Sequence, residues 1–266
     1  MKACELTAQE SLSYERDGCF VRERAFSSAE CTAFRAAAER AALQAQAMAR
    51  SGRSYRLDGN RFVDAGHITI QFEHGRETDT VRVIEPVHEL DERFDRLLDD
   101  PRIGQPMRGL IGIDDIALWT AKLNLKRPRE GSGFRWHQDS PYWIHDCAHV
   151  DLLPNVMLAF DDANIENGCL QVVPGSHRNG LLPGSCDGTQ LQGFFTSPDH
   201  FDESRARAMV VPAGSLIFFS PHAVHGSGPN TSEHPRRAIV ITCQPGGHPA
   251  LKSRQLRPIA PAPAGI

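Results

Sequence analysis

No apolar run approaching the roughly 18–20 residues of a bilayer-spanning helix occurs in the 266-residue chain. The first residues, MKACELTAQES, place Glu5 where an export signal needs its apolar stretch, so a cytoplasmic protein without a membrane partner is expected. There is no C-x-x-C pair among the seven cysteines (Cys4, Cys19, Cys31, Cys147, Cys169, Cys186 and Cys243), and their number is odd. That argues against a disulfide framework and a zinc-thiolate site, and fits a reducing compartment. No basic excess exists either: 29 Lys plus Arg stand against 33 Asp plus Glu, a net charge of -4. A protein built to hold a nucleic-acid backbone usually shows the opposite balance, so no nucleic-acid partner is expected. Lysine is scarce, four of the 29 basic residues, and reads as compositional bias. Internal repeats and low-complexity blocks are missing, and oligomeric state leaves no trace in the sequence.

What is there is an ordinary globular mixture, 40% hydrophobic and 23% charged. The first third reads as helical. Ser27 and Ser28 can cap a helix running to about Arg50, before Gly52, with Phe34, Ala38, Ala41, Ala45 and Met48 on one apolar face. A second helix is expected over Glu85–Leu98, ended by Asp100-Pro101, and a third over Ile103–Ile111. From Ile116 the pattern changes to short β-rich runs between turn residues: Leu118–Lys126, Val156–Asp161, Cys169–Val173, Ala208–Val211, Ser215–Phe219 and Ala238–Gln244. Such spacing points to a sandwich or barrel. One domain over 1–266 is expected, mainly β with flanking helices. It would have a helical part to about 112, a β core over about 113–245, and an irregular surface arm over 246–266.

The chemistry concentrates in Trp136-His137-Gln138-Asp139-Ser140-Pro141-Tyr142-Trp143. Two positions apart on extended backbone, His137 and Asp139 share a face. One imidazole beside one carboxylate is half of a metal site, and a distant histidine would complete a two-His, one-carboxylate triad with open positions on Fe(II). Both His222 and His225 are candidates. The Gly226-Ser227-Gly228 segment and the spacing to Arg236 favour His225. An arginine on the strand 238–242 side of such a site can hold a carboxylate in a bidentate fork. An isolated H-x-D triplet is a weak signal, and the downstream segment is what strengthens it.

Several segments, in order, carry a family resemblance: Tyr14-Glu15-Arg16-Asp17-Gly18-Cys19-Phe20-Val21, the 136–143 segment, Leu158–Asp162, Asn167–His177, and His225-Gly226-Ser227-Gly228-Pro229-Asn230 with Arg236 eleven residues after His225. Together they resemble the phytanoyl-CoA dioxygenase (PhyH) family of Fe(II)- and 2-oxoglutarate-dependent oxygenases, which includes ectoine hydroxylase. The resemblance implies a double-stranded β-helix, a cupin-like jelly roll. By matching positions it implies His137, Asp139 and His225 as iron ligands and catalytic centre. Arg236, with Ser227, Asn124 and Phe134, would hold 2-oxoglutarate, and Thr120 and Trp143 would lie near the substrate. Tyr14–Val21 would be the first strand. Met157 departs from members that carry Trp there. Asp139 stands where related halogenases have Ala or Gly, which implies hydroxylation of an unactivated C–H bond of a small molecule, with O2 consumed and succinate and CO2 released. Desaturation, epimerisation and ring formation use the same ligands. A non-catalytic jelly-roll binding protein and a cupin-like metalloenzyme without 2-oxoglutarate are the other readings.

The remaining residues read more plainly. His177 is a turn residue, His145 and His149 lie in an exposed loop, Asp161 and Asp162 serve a turn, and Cys169 is core. Lys126-Arg127-Pro128-Arg129 is a solvated loop, or a rim that attracts anions. Tyr55–Arg76 and Gly180–Arg207 are expected to shape the substrate pocket.

Overall fold

The computed structural model describes residues 4–74 and 78–261. In chain order the elements are α1 Ala8–Asp17, β1 Cys19–Arg22, α2 Ser28–Ala49, β2 Arg53–Leu57, β3 Asn60–Ala65, β4 Ile68–Phe72, β5 Val81–Glu85, α3 Glu92–Leu98, α4 Pro101–Ile111, β6 Ile116–Lys126, β7 Phe134–His137, β8 Asn155–Ala159, β9 Gln171–Val172, β10 Arg207–Ala208, β11 Leu216–Phe219, β12 His225–Ser227 and β13 Arg236–Pro245. Among the described residues they form a large sheet, β1-β11-β8-β13-β6-β5-β4-β3-β2, and a small one, β10-β9-β12-β7.

The middle strands of the large sheet are apolar on both faces, and the period of two sorts their side chains. Val156, Leu158, Leu216, Phe218, Ile239 and Ile241 point into one core, shared with α2, α3 and α4. Their neighbours Met157, Ala159, Ile217, Phe219, Ala238 and Val240 point into a second, which also holds Val172, Leu170 and Cys169 beside the small sheet. Two stacked antiparallel sheets with helices on the outer face of the larger one make the jelly roll expected. Helix α2 is capped by Ser27 and Glu30 in a reciprocal box. Its buried stripe is mostly alanine (Ala37, Ala38, Ala41, Ala42, Ala45), which lets it lie close to the sheet.

Three expectations need correction. The region 53–85 is not helical but holds strands β2 to β5, whose turns pass through Gly59 and Gly66 at positive φ. The helix expected from Glu85 starts only at Glu92. The Val87 N–H is bonded to Ala121 O, Pro86 bars helical geometry at Glu85, and Asp91 supplies the cap. Residues 14–17 are the last turn of α1, so the first strand starts at Cys19, after Gly18 closes the helix. The described part of the C-terminal arm is irregular and mostly exposed or half-buried, with a few ties to the body. Ile259 is buried and its N–H bonds to Ile116 O, while Arg257 pairs with Asp95 and Asp99. Residues 262–266 of that arm lie outside the described residues.

Phe160 sits between Phe34 and Phe94, with ring centroids 5.3 and 5.9 Å away, and ties α2 and α3 to the end of β8. Phe160→Ala is expected to cost about 3–5 kcal/mol, the range for deleting a fully buried aromatic side chain. Urea unfolding monitored by circular dichroism checks this.

Candidate metal centre

The last residue of β7 and the first of β12 are His137 and His225, direct partners across the small sheet. Their rings lie 4.1 Å apart. His137 Nδ1 is 2.7 Å from Arg135 O, and His225 Nδ1 is 2.9 Å from Ala223 O. A carbonyl only accepts, so each Nδ1 carries the proton and each Nε2 presents a lone pair. Those Nε2 atoms stand 4.0 Å from Asp139 Oδ1 and 3.8 Å from Asp139 Oδ2. The ligand atoms of the three residues all lie within 4.8 Å of one another, a group that could hold a metal ion.

Asp139 is positioned from two sides. Its N–H and that of Ser140 both donate to Pro221 O, at 3.0 and 3.1 Å, which ties it to the segment ahead of β12. Its carboxylate accepts from Asn155 Nδ2 at 3.0 Å, and the Thr242 hydroxyl donates to Asn155 Oδ1 at 2.6 Å. Burial and the neighbouring His225 push His137 down to about 3, so the 4.0 Å approach is a neutral imidazole beside a carboxylate rather than an ion pair. Burial acts to raise Asp139, but His225, Lys122, His137 and the Asn155 hydrogen bond outweigh it and hold the carboxyl below its ordinary value. Two imidazole Nε2 atoms beside an ionised oxygen donor are a suitable ligand set for Fe(II).

A second polar cluster lies beyond Ser227. Arg236 and Lys126 are direct partners across β13 and β6, a like-charge pair that is unfavourable alone. Both are buried, at 2% and 0% exposure. The Lys126 ammonium donates to Ser227 Oγ at 2.8 Å and to Gly228 O. One Arg236 nitrogen donates to Gly168 O at 2.6 Å, while its Nε is buried without a partner. Arg82, whose guanidinium lies 3.9 Å over the Phe134 ring, adds a third cation, with Glu73 the nearby anion. Burial, then the charges of Arg236 and Arg82, push Lys126 down to about 6. Burial takes Arg236 down to about 10. An orphaned guanidinium N–H within a cation excess is a cradle suited to a carboxylate of 2-oxoglutarate.

The structure thus brings His137, Asp139 and His225 together and leaves His222 apart, with its Nε2 2.7 Å from Asp151. Phe134 pairs with Ser227 across the strands, and Thr120 donates to Glu85 at 2.7 Å. Trp143 is buried edge-on to Trp119, and Asn124 pairs with Ala238. Met157 is buried in the inter-sheet core. His177 contacts Glu15 O away from the triad, His145 is exposed, and Asp161 is engaged by Arg237. His149 is half-buried, not exposed, because Gln244 and His248 pack on it. Lys126 is a further correction: it ends β6 inside the protein rather than opening a solvated loop. Asn155, Thr242 and Arg82 escaped the sequence reading and carry no motif, and Gln138 stood inside the 136–143 segment without a role assigned to it. Lys126 could have been found, because it falls on the parity of Thr120 and Asn124 in an expected strand.

The phytanoyl-CoA dioxygenase (PhyH) family profile matches residues 14–238. This chain belongs to that family. It is 28% identical over 209 residues to an L-proline trans-4-hydroxylase of Streptomyces griseoviridis, covering 69% of this chain and 78% of that one. It is 29% identical over 258 residues to an ectoine dioxygenase of Bordetella bronchiseptica, covering 89% and 74%. Among solved structures, the 2-oxoglutarate-dependent carbocyclase SnoK superposes with a TM-score of 0.69 at 17% identity, covering 96% of this chain and 97% of the other. EctD from S. alaskensis with 2-oxoglutarate and 5-hydroxyectoine gives 0.64 at 22%, covering 90% and 76%. The expected fold, family and Fe(II)- and 2-oxoglutarate-dependent dioxygenase class are borne out.

Asn155 is fully buried and its side-chain amide N–H donates to the Asp139 carboxylate. Asn155→Ala is expected to weaken Fe(II) or Co(II) binding by roughly 10–100-fold, the usual effect of losing a residue that orients a ligand. Anaerobic metal titration of the folded variant is the measurement.

Proposed function

We propose that the chain hydroxylates an unactivated C–H bond of a small organic molecule. Fe(II) is assigned to His137, Asp139 and His225, and the far carboxylate of 2-oxoglutarate to Arg236, Lys126 and Ser227. The observation that carries this reading is the pairing of the triad with a buried, unneutralised cationic cradle two residues along β12. When bound, iron, 2-oxoglutarate and O2 supply the oxidation, with succinate and CO2 as by-products. The protein's part is placement. His137 and His225 offer Nε2 because their Nδ1 protons are engaged. Asp139 occupies a ligand position that a halogenase leaves for chloride. Asn124 and Phe134 flank the co-substrate, and Thr120 and Trp143 the substrate. Tyr142, stacked on Phe194 at 4.7 Å and edge-on to His137, helps exclude water.

The relatives named for proline and ectoine act on small molecules, which supports a small-molecule substrate here. Strands β1 and β13, from opposite ends of the chain, share one sheet, which supports one catalytic domain. All seven cysteines are free thiols, which suits a reducing cytoplasm.

The decisive experiment is succinate release from 2-oxoglutarate after O2 reaches the anaerobically Fe(II)-loaded protein. Iron-dependent release is expected. Asp139→Ala should abolish it with the fold retained, and Arg236→Ala should raise the Kd for 2-oxoglutarate. No release together with no 2-oxoglutarate binding would favour the binding-protein reading. Product analysis separates hydroxylation from desaturation, epimerisation and cyclisation.

Co-substrate binding should also depend on pH. With its ordinary value pushed down to about 6, Lys126 is mostly neutral near pH 7.5 in the empty pocket. An incoming dianion favours the protonated form, so binding takes up a proton. The Kd should therefore rise between about pH 6.5 and 8.5 and level off on the acid side, where Lys126 is already charged. Calorimetry in buffers of different ionisation enthalpy measures the uptake, and Lys126→Met should remove it.

A further inference from the structure

The loop 180–199 begins and ends at one cavity. It leaves the short turn Ser176–Asn179 and returns at His200. Residues from both stems line a cavity of about 220 Å³ there, Arg178 and Asn179 from one and His200, Phe201, Asp202 and Arg205 from the other. The cavity lies on the face of the small sheet away from the triad. Side chains alternate along β7, so Trp136 faces opposite to His137, and Phe201 packs on Trp136 with ring centroids 5.7 Å apart.

Two guanidinium groups reach this cavity with nothing to hold. Arg178 lies back against Gly175, where a Cβ would stand 2.8 Å from its Nη2, and Gly175 takes a positive φ of 80° that suits glycine. The backbone N–H groups of Arg178 and Arg205 serve turns, to Gly175 O and Asp202 O. Among the described residues neither side chain has a hydrogen-bond or ion-pair partner. Nearby, Arg16 and Arg207 both pair with Asp17. The one carboxylate in the lining, Asp202, accepts from the N–H and the hydroxyl of Ser204, and the charge of Arg205 reaches it without closing an ion pair. Two unengaged guanidiniums and an imidazole thus face one engaged carboxylate. Forked donors from two directions suit a phosphoryl group, whose three acceptor oxygens point several ways where a planar carboxylate offers one edge. The volume equals about seven waters at roughly 30 Å³ each, room for a phosphoryl group and part of what carries it.

The other end of the same loop is at the metal centre. Phe195 bridges to His137, and Phe194 stacks on Tyr142. Between the two ends the loop is cross-bonded, Ser185 N–H to Phe195 O and Ser197 N–H to Pro183 O. We propose that the cavity is an anion site for inorganic phosphate or a small phosphate monoester, whose phosphoryl group bridges Arg178 and Arg205, clamps the two stems and steadies the loop that carries Phe194.

Binding is measured by calorimetry on the anaerobic Fe(II)-loaded protein saturated with 2-oxoglutarate, at fixed ionic strength. The probes are inorganic phosphate, glucose 6-phosphate and AMP, with glucose and acetate as controls. Saturable one-to-one binding of a phosphate probe is expected, and none of the controls. Tighter binding of inorganic phosphate assigns the free ion, and tighter binding of an ester assigns a metabolite that also fills the cavity. Arg178→Gln and Arg205→Gln should each weaken binding about ten- to a hundred-fold, as for loss of a charged hydrogen bond, with the circular dichroism spectrum unchanged. Hydrogen exchange across 180–199 should slow on binding in the parent protein and not in these variants. Failure of every phosphate probe to saturate, or equal affinity in parent and variants, would overturn the site. Binding lost in Arg236→Ala but kept in the two glutamine variants would belong to the co-substrate cradle and overturn it too. Binding that leaves exchange across the loop unchanged would overturn the clamp.

Discussion

The register between β7 and β12 is the constraint on which the site depends. Opposite each other on one rung, His137 and His225 hand their Nδ1 protons to carbonyls two residues upstream, Arg135 O and Ala223 O. Both rings therefore turn the same way and present the same nitrogen. A slip of one residue would send one ring to the other face of the sheet. The strands fit so closely that a Cβ at Gly226 would meet the Trp136 ring at about 3.1 Å. One step later the register shifts, with Ser227 opposite Phe134, and this irregularity turns the strand from the metal centre towards the cationic cradle. A three-residue strand thus serves two sites in succession.

The second organising fact is where the cations went. A chain with a net charge of -4 holds only four lysines, and two of them, Lys122 and Lys126, lie on one face of β6. Lys126 meets Arg236 across the rung, with Arg82 beside them. On the surface arginine does the pairing, as in Arg96 with Glu92 and Arg129 with Glu233. Inside, the compact ammonium is used where its charge state can respond to what enters, because a lysine shifts its pKa on burial far more readily than a guanidinium. Arg236 and Arg82 keep their charge in the cradle, a stability cost that an incoming anion offsets, while Lys126 lessens it by giving up its proton.

Much of this was legible in the sequence where a local pattern coincides with a three-dimensional one. His137 and Asp139 are close in sequence and close in space, and the capping residues of α2 announce its start. The strands 156–161, 215–219 and 238–244 were visible because burial on both faces leaves them largely apolar, and 118–126 because Ala121, Leu123 and Leu125 alternate with polar residues. The segment 53–72 was not, since its outer strands are half exposed and carry Arg53, Arg56 and Arg61 among few apolar residues. Asn155 and Thr242 could not be read at all: an asparagine opening an apolar strand has no signature, and its meaning arises only when β8 and β13 pair beneath Asp139. The helix expected from Glu85 shows the reverse error. Val87, Phe94 and Leu97 are buried as the helical spacing implies, yet tertiary pairing of Val87 with β6 decided the backbone.

The two segments expected to shape the pocket are joined to each other and to the metal centre by their backbones. At the β2–β3 turn the Asp58 carboxylate accepts from the N–H groups of Gln190 and Leu191, at 2.5 and 3.0 Å, and the Gln190 side chain answers the Asp58 N–H. Gly75 and Arg76, at the end of the first segment, lie outside the described residues. Gln138, between two of the triad residues, donates to Gly180 O and accepts from Leu182 N–H. Further along the same loop, Phe195 bridges to His137 and Thr196 N–H bonds to Trp136 O, so the loop adds a rung outside β7. That loop is therefore anchored at its start by Gln138, in its middle by Asp58 and beyond that by the histidine strand itself. Side chains between these anchors, Phe194 among them, can change without moving the triad, because each anchor runs through backbone groups or through residues outside the loop. A fold arranged in this way can keep its oxidising centre constant while the loop resets which carbon is presented to it.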